Sequence, residues 1–287
     1  MNTELNALLR SWEWRFDVVL IVAIMCYVYV CGFIRISSLS NARNLSTKKD
    51  SWLYWRLISY LIGLLCIVVA LVSPLEVLAG QLFFMHMIQH MLLVMFAAPL
   101  LLIANPFPVF LWGLPVMLRR KVSRLFVTDS QFRKLLAKIT SPGVTWIIFV
   151  VIYIGWHDPG LYDLALTYSV VHDIEHISFF VASLLFWWHV TAAAPRIHHT
   201  LKYSRRVVYL LVTVPVNMIA GVFITFSREP IYQHYVDVQR PWSLTVMQDQ
   251  MIGGIIMWIP GSMMLIIGVI VLVIRMMNSE EGSINRI

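Results

Sequence analysis

Two pairs of histidines with a four-residue spacing are the side chains in this sequence best suited to chemistry. His86 and His90 lie near the start of the apolar stretch LFFMHMIQHMLLVMFAAPLLLIAN, and His172 and His176 lie in VHDIEHISFF at the start of another. Residues four apart share one face of a helix, with β-carbons about 5–6 Å apart, so the imidazoles of each pair can reach one metal ion. Ionisable residues inside apolar spans are costly and usually mark function. We therefore predict a metal or cofactor site at the two pairs.

Three more side chains can contribute ligands at the same depth. His157 stands at the end of an apolar segment, and Asp249 and Met251 stand at the beginning of the last one. Imidazole binds Cu, Zn, Fe and Ni, whereas thioether ligands favour Cu(I). The 15 methionines suit a soft ion, although methionine also fills gaps in ordinary cores. These residue types suit copper and leave zinc and haem iron open.

Two other uses of the histidines stay open. The pattern His172-x-x-Glu175-His176 matches the H-x-x-E-H signature of zinc hydrolases, in which the glutamate would act as general base. On a helical wheel, however, Glu175 points about 60° away from the histidine face, and we do not count it among the predicted ligands. A bis-histidine haem would take one ligand from each helix and would need a cleft lined with small residues, which neither pair clearly shows.

The composition predicts an all-α polytopic membrane protein. Of the 287 residues, 59% are hydrophobic and only 13% are charged, a balance that soluble domains of this length do not show. The net charge of +7 fits Lys and Arg gathered in cytoplasmic loops and requires no nucleic-acid partner. The three cysteines lie in apolar segments without a CxxC spacing, so we expect no disulfide framework.

The apolar segments predict seven membrane-spanning helices in a single domain, with the amino terminus outside and the carboxyl terminus inside. A bilayer core of about 30 Å requires roughly 20 apolar residues for each helix. With this orientation, seventeen Lys and Arg lie in inner segments and four in outer ones, as the positive-inside rule requires. The histidine pairs then lie in the outer leaflet. The predicted spans are about 16–34, 53–72, 82–105, 143–157, 169–193, 207–226 and 243–274.

Several motifs, taken in order along the chain, resemble the CtaG-type assembly factors of caa-type haem-copper oxidases. They are HMIQHMLL, WHDPGLYDLAL, VHDIEHISFF followed by WWH, and DQMIGGIIMWIPG, and the resemblance covers roughly residues 50 to 275. It implies a seven-helix protein of the bacterial inner membrane that helps cytochrome c oxidase to mature by supplying copper. The four paired histidines, His157, Asp249 and Gln250 lie at positions that match the family's motifs.

We therefore expect a metallochaperone or assembly factor rather than an enzyme, with no catalytic residue. Its expected partners are cytochrome c oxidase subunits and membrane lipid. Its expected cargo is copper, bound reversibly by His86, His90, His172 and His176, with His157 or a nearby methionine as the exchangeable ligand. A membrane-embedded zinc hydrolase and a haem-bearing electron-transfer subunit are the alternatives.

Overall fold

The computed structural model describes residues 11–42 and 48–284, without the side chains of residues 40–42, 48–51 and 280–284. Within these ranges the chain forms helices and no strands. A π-helical turn, Leu92–Ala97, joins α4 to α5, and a 3₁₀ turn, Pro241–Ser243, precedes α14. The helices are α1 (Phe16–Ala42), α2 (Lys48–Leu71), α3 (Pro74–Ala79), α4 (Phe83–Met91), α5 (Ala98–Ile103), α6 (Pro106–Gly113), α7 (Val116–Leu125), α8 (Gln131–Ile139), α9 (Pro142–Trp156), α10 (Pro159–Thr167), α11 (Ser169–Thr191), α12 (Tyr203–Thr225), α13 (His234–Asp237) and α14 (Val246–Ile284).

Six helical segments in the described ranges are long and apolar enough to cross a membrane. A seventh span exists only if α8 and α9, which meet at an angle of 55°, cross together. Alone, the 15 residues of α9 reach about 22 Å at 1.5 Å per residue, less than a bilayer core. The described residues thus form an all-helical structure with six candidate membrane spans, or seven if the bent pair counts as one span. The six are Phe16–Leu39, Trp52–Leu71, Phe83–Ile103, Ser169–Thr191, Tyr203–Thr225 and Val246–Ser279.

The bounds of the first and last spans differ from the prediction. The first helix continues past residue 34 to Ala42, because polar residues at a helix end outside the apolar core do not stop the helix. The last helix begins at Val246, because Trp242 and Ser243 have positive φ angles, which an α-helix cannot contain. It also continues beyond residue 274, to Ile284.

The span formed by α4, the π turn and α5 runs through the middle of the bundle. In the most apolar 18 residues of this span 61% of the residues are buried, more than in the most apolar 18 residues of the other five long spans. One hydrophobic cluster lies on the side of α9, α11, α12 and α14, and a second lies on the side of α1, α2 and α6. In the second cluster the rings of Tyr29 and Tyr60 stack with centroids 3.8 Å apart. The central span therefore has its orientation set by packing on both sides.

Glycines allow two pairs of helices to touch through their backbones. A β-carbon at Gly32 of α1 would lie 1.9 Å from the carbonyl oxygen of Val109 in α6. A β-carbon at Gly221 of α12 would lie 2.6 Å from the β-carbon of Trp258 in α14. Small residues at such crossings are typical of membrane helices, where close packing replaces the hydrophobic driving force. The α12–α14 pair supports the central span from one side, because α14 also packs on α4.

Short helices close the end of the bundle at which α4 begins and α9 ends. Helix α3 packs on α4, α10 packs on α11, and α13 packs on α10. Ser73 caps α3 by accepting a hydrogen bond from the backbone N–H of Leu75, a common way to satisfy a free helix N-terminus. Asp158 caps α10 in the same manner. These short helices surround the histidine pairs and shield them from solvent.

Candidate metal centre

Helices α4 and α11 bring the two histidine pairs face to face. The ring centroids of His86 and His172 are 5.3 Å apart, and those of His90 and His176 are 5.4 Å apart. Helix α11 packs on the π turn and on α5, so the third and fifth predicted spans are neighbours, as a shared site requires. Nearer the beginning of both spans than that contact, the four imidazoles lie in the space between α4 and α11.

The donor atoms of the cluster approach the spacing that a metal ion demands. Two nitrogens bound tetrahedrally at 2.0–2.1 Å are about 3.3 Å apart, and the Nε2 atoms of His86 and His90 are 2.9 Å apart. Two overlapping triads have ligand atoms that all lie within 4.8 Å of one another. They are His86 with His172 and His176, and His86 with His90 and Glu175.

Glu175 lies inside the cluster, whereas the predicted ligand set omits it. Its Oε1 is 3.5 Å from Nε2 of His90, and its Oε2 is 3.7 Å from Nε2 of His86. As the helical wheel predicts, Glu175 lies to one side of the face of α11 that carries His172 and His176. The opposing helix α4 lies on that same side, and the carboxylate reaches its histidines. We call His86, His90, His172, His176 and Glu175 the histidine–glutamate cluster.

The cluster contains polar atoms that are buried and lack hydrogen-bond partners. Glu175 and His86 are fully buried, and His176 is 3% exposed. Buried polar groups in proteins are nearly always hydrogen-bonded, and an unpaired one costs about 1–3 kcal/mol. A cation bound among these atoms would satisfy most of them at once. The unpaired atoms of the cluster are both carboxylate oxygens of Glu175, both ring nitrogens of His176, Nε2 of His172 and Nδ1 of His90.

Two tyrosines support His86 from the side opposite its Nε2. The hydroxyl of Tyr162 lies 2.9 Å from Nδ1 of His86, and 3.2 Å from the hydroxyl of Tyr235. Tyr235 donates to the carbonyl of Ala79 in turn. Burial raises the pKa of Tyr162 and of Tyr235 well above the usual value, so both hydroxyls stay protonated. If Nε2 of His86 were to bind a metal, Nδ1 would carry the proton and could donate it to Tyr162, which would fix the ring.

A second carboxylate, Glu76 of α3, supports His172. Its Oε1 is 3.6 Å from Nδ1 of His172, and its Oε2 accepts a hydrogen bond from Nε2 of Gln89. Burial raises the pKa of Glu76 to about 7. Next to His172, Asp173 forms an ion pair with Arg15, which ties the segment before α1 to α11. Carboxylates that orient ligand histidines are typical of metal sites.

The other predicted ligands lie outside the two triads. His157 borders the cluster, with its ring centroid 6.5 Å from that of His90, and its Nδ1 donates to the carbonyl of Tyr153 at 2.6 Å. Asp249 accepts hydrogen bonds from the backbone N–H groups of Phe83 and Phe84, at 2.9 and 3.0 Å. Both its oxygens therefore hold the first turn of α4. The structure does not bring Met251 to the cluster, because its side chain is 43% exposed on α14.

The residues that sequence reasoning missed are Glu175, Glu76, Tyr162 and Tyr235. Glu76 and the tyrosines lie on short helices between or beside the spans, and no spacing relates them to the histidines. Glu175 did carry a signal, since an acidic residue inside an apolar span is costly and functional by default. That rule marks Glu175 as a functional residue, as the zinc-hydrolase alternative also does, but it does not predict that the carboxylate reaches His86 and His90 of the opposing helix.

Comparison with known families decides where the chain belongs. The family described as cytochrome c oxidase caa3 assembly factor (Caa3_CtaG) matches residues 17–279. The chain belongs to this family. No solved structure matches the chain.

Mycobacterial proteins are among the relatives of this Caa3_CtaG member. An uncharacterized protein of Mycobacterium leprae is 27% identical over 90% of this chain, and an uncharacterized protein of Mycobacterium bovis is 28% identical over 85% of it. The matched regions are 38% and 36% of those two proteins. The chain therefore spans less than two fifths of the curated relatives that it matches.

Proposed function

We propose that this protein binds copper at the histidine–glutamate cluster and delivers it to cytochrome c oxidase during assembly in the bacterial inner membrane. The observation that carries the proposal is the pair of overlapping triads that share His86. Imidazole nitrogens suit copper, and one carboxylate offsets part of the charge of the ion. In this proposal copper is cargo, so the protein has no reaction to catalyse.

The burial of the ligands is graded, which suits reversible loading. The side chain of His172 is 16% exposed, whereas those of His86 and Glu175 are fully buried. Copper that enters or leaves would therefore meet His172 first. A chaperone must bind its ion tightly enough to hold it and still release it, and a partly exposed ligand lowers the barrier to exchange with a partner's ligand.

A zinc-dependent hydrolase is the second candidate, and the position of Glu175 favours it. A carboxylate beside metal-ligating histidines can act as a general base toward a metal-bound water. The haem alternative has less support. The histidine rings of the cluster lie with centroids 4.2–5.8 Å apart, and a haem plane would have to separate α4 from α11 at this point.

Elemental analysis and the Glu175→Gln variant test the proposal. The purified wild-type protein is expected to carry copper without a Soret band in its visible spectrum. Because the glutamine amide cannot supply the anionic oxygen that Glu175 would offer to an ion bound beside His86 and His90, we expect the affinity for copper to fall about 10–100-fold. Oxidase activity in cells should fall in parallel and return when copper is added to the medium.

The alternatives predict different results for the same two measurements. A hydrolase with Glu175 as general base would keep its zinc in Glu175→Gln and lose about 10²–10⁴ in rate. Added copper would then restore nothing. A Soret band in the wild-type protein would favour the haem subunit. His189→Ala is the matched control, since Nε2 of His189 is paired with the carbonyl of Thr140 and not with the cluster; it should keep the copper.

A further inference from the structure

A cavity beside His90 lies outside the two metal triads. Its volume is about 20 Å³, enough for one occupant the size of a water molecule. The side chain of His90 borders both sites, because its Nε2 lies near His86 and Glu175 while its ring also lines the cavity. The side chains on the cavity wall that carry a sulfur atom or an imidazole are Met87, Met91, Met95, Met257, His90 and His157.

The methionines of this cavity include all the buried methionines among the residues with described side chains. Among the residues with described side chains, the buried methionines are Met87, Met95 and Met257, with exposures of 2%, 2% and 4%. All three line this one cavity. Methionine often fills gaps in a core, but filled gaps would be spread through the two hydrophobic clusters. The concentration at one cavity indicates a role for the sulfur atoms.

The π turn explains how three of these methionines come to line one face. Met87, Met91 and Met95 are spaced four residues apart, and in an α-helix each such step turns the side chain by about 40° beyond a full circle. The π turn begins at Leu92, and its wider hydrogen bond runs from the N–H of Ala98 to the carbonyl of Leu93. Wider turns reverse this drift. Met95 therefore returns toward the line of Met87 instead of facing α2.

One imidazole nitrogen on the cavity wall is available as a ligand while the cluster holds its own ion. Nδ1 of His90 is buried and has no hydrogen-bond partner, but it would carry the ring proton when Nε2 binds a metal, so His90 lines the cavity without acting as a ligand there. His157 donates through Nδ1 to the carbonyl of Tyr153, which leaves the lone pair on Nε2. The other polar side chains on the wall are already paired, because Tyr153 donates to Oδ1 of Asn217 at 2.7 Å. Among the residues that the structure describes, no carboxylate lines this cavity.

We propose that this methionine cavity is a second metal site, selective for Cu(I), that adjoins the histidine–glutamate cluster through His90. Thioether sulfur with imidazole is a soft ligand set that favours Cu(I) over zinc and over divalent ions that need carboxylates. The inference rests on the proposed function for its cargo. The proposal adds a second binding site, so that one chain holds two copper ions with different sets of ligands.

Cu(I) titration against a competing chelator, with X-ray absorption spectroscopy of the loaded protein, tests the second site. The wild-type chain is expected to bind two Cu(I), one of them with a copper–sulfur signal. The variant with Met87→Leu, Met95→Leu and Met257→Leu keeps side chains of similar volume and should bind one Cu(I) with nitrogen and oxygen ligands alone. Met264→Leu is the control, since Met264 packs on the same hydrophobic cluster outside the cavity.

The remaining outcomes separate this inference from the proposed function. Two Cu(I) in the triple variant, or wild-type copper without sulfur ligands, would overturn the methionine site and leave the cluster intact. His172→Ala changes the cluster alone, so it should lose the nitrogen-bound copper and keep the sulfur signal. Copper bound only through sulfur and unchanged in His172→Ala would instead overturn the cluster. If the triple variant does not fold, Met95→Leu alone should weaken the sulfur-bound Cu(I) about tenfold, and unchanged affinity would refute the site.

Discussion

At the scale of residues, the ligands of the histidine–glutamate cluster are not equivalent. His86 belongs to both triads, and its ring contacts those of His90, His172 and His176. It is also the ligand that Tyr162 orients. His172 lies at the partly exposed edge, with a carboxylate oxygen of Glu76 3.6 Å from its Nδ1. The site therefore has a fixed centre at His86 and an accessible edge at His172.

Paired alanine substitutions at this centre and edge should reveal one shared site. His86→Ala and His172→Ala should each lower bound copper strongly, and the double variant should lose little more, because residues that act as one unit are not additive. Copper content and oxidase activity in the two single variants and the double variant measure this. Histidines that merely form separate hydrogen bonds would each contribute about 0.6 kcal/mol. Graded, summing defects with unchanged copper would exclude a shared site.

At the scale of elements, α14 holds the beginning of α4. Asp249 stands in the first turn of α14 and accepts the backbone N–H groups of Phe83 and Phe84. Three residues further along, His86 begins the cluster. Gly253 is part of the same contact, because a β-carbon there would lie 2.2 Å from the ring of Phe83. The position of His86 is thus set by a helix that contributes no ligand to either triad.

Substitution of Asp249 should separate a capping role from a ligand role. Asp249→Ala leaves one buried and one partly buried N–H group without an acceptor and should lower the free energy of unfolding by about 1–2 kcal/mol. Asp249→Asn retains an acceptor oxygen and should cost less. Thermal denaturation in detergent and copper analysis measure the two effects. If Asp249→Asn kept full stability but lost its copper, Asp249 would be a ligand, as the sequence suggested.

At the scale of the whole molecule, the basic segments and the cluster lie at different ends of the bundle. Arg133 of α8 donates to the carbonyl of Arg196 in the segment after α11, and Thr140 bonds His198 in that same segment. Two of the predicted inner loops thus meet at one end. The cluster lies where α4 and α11 begin, one helix length away. Two of the four basic segments predicted to lie inside are therefore in contact with each other, away from the cluster.

Reporter fusions at Lys121, Lys202 and Tyr232 should show the orientation. The positive-inside rule predicts cytoplasmic signals at the two lysines and an external signal at Tyr232. An external signal at Tyr232 would place the cluster at the outer end of the bundle, together with α3, α10 and α13. Fusion at Leu125, a few residues from Lys121, serves as a positional control. A signal from outside at Lys121 would reverse the orientation and the face from which copper is delivered.

The sequence predicted the parts of this protein that depend on local patterns. The lengths of the apolar segments predicted most of the spans. The i, i+4 spacing predicted that the pair His86 and His90 comes close to the pair His172 and His176. Contacts that arise only when helices pack could not be read from one segment. Tyr162 reaches His86 because α10 folds over the end of the bundle, and Asp249 reaches Phe83 because α14 crosses α4. Glu175 needed the direction of the opposing helix, which no helical wheel of its own segment contains.

The π turn after Met91 has a consequence for how sequences of this kind should be aligned. A π turn holds one residue more than an α turn, so deletion of a single residue within Leu92–Ala97 would let this turn close as an ordinary α turn. The histidines before the turn and Ala98–Ile103 after it would then keep the faces that they present to their neighbours. The same deletion in the α-helical part on either side would instead rotate the rest of the helix by about 100°. A one-residue gap between His90 and Pro99 in an alignment therefore belongs within Leu92–Ala97, where it joins proteins whose central helices still superimpose.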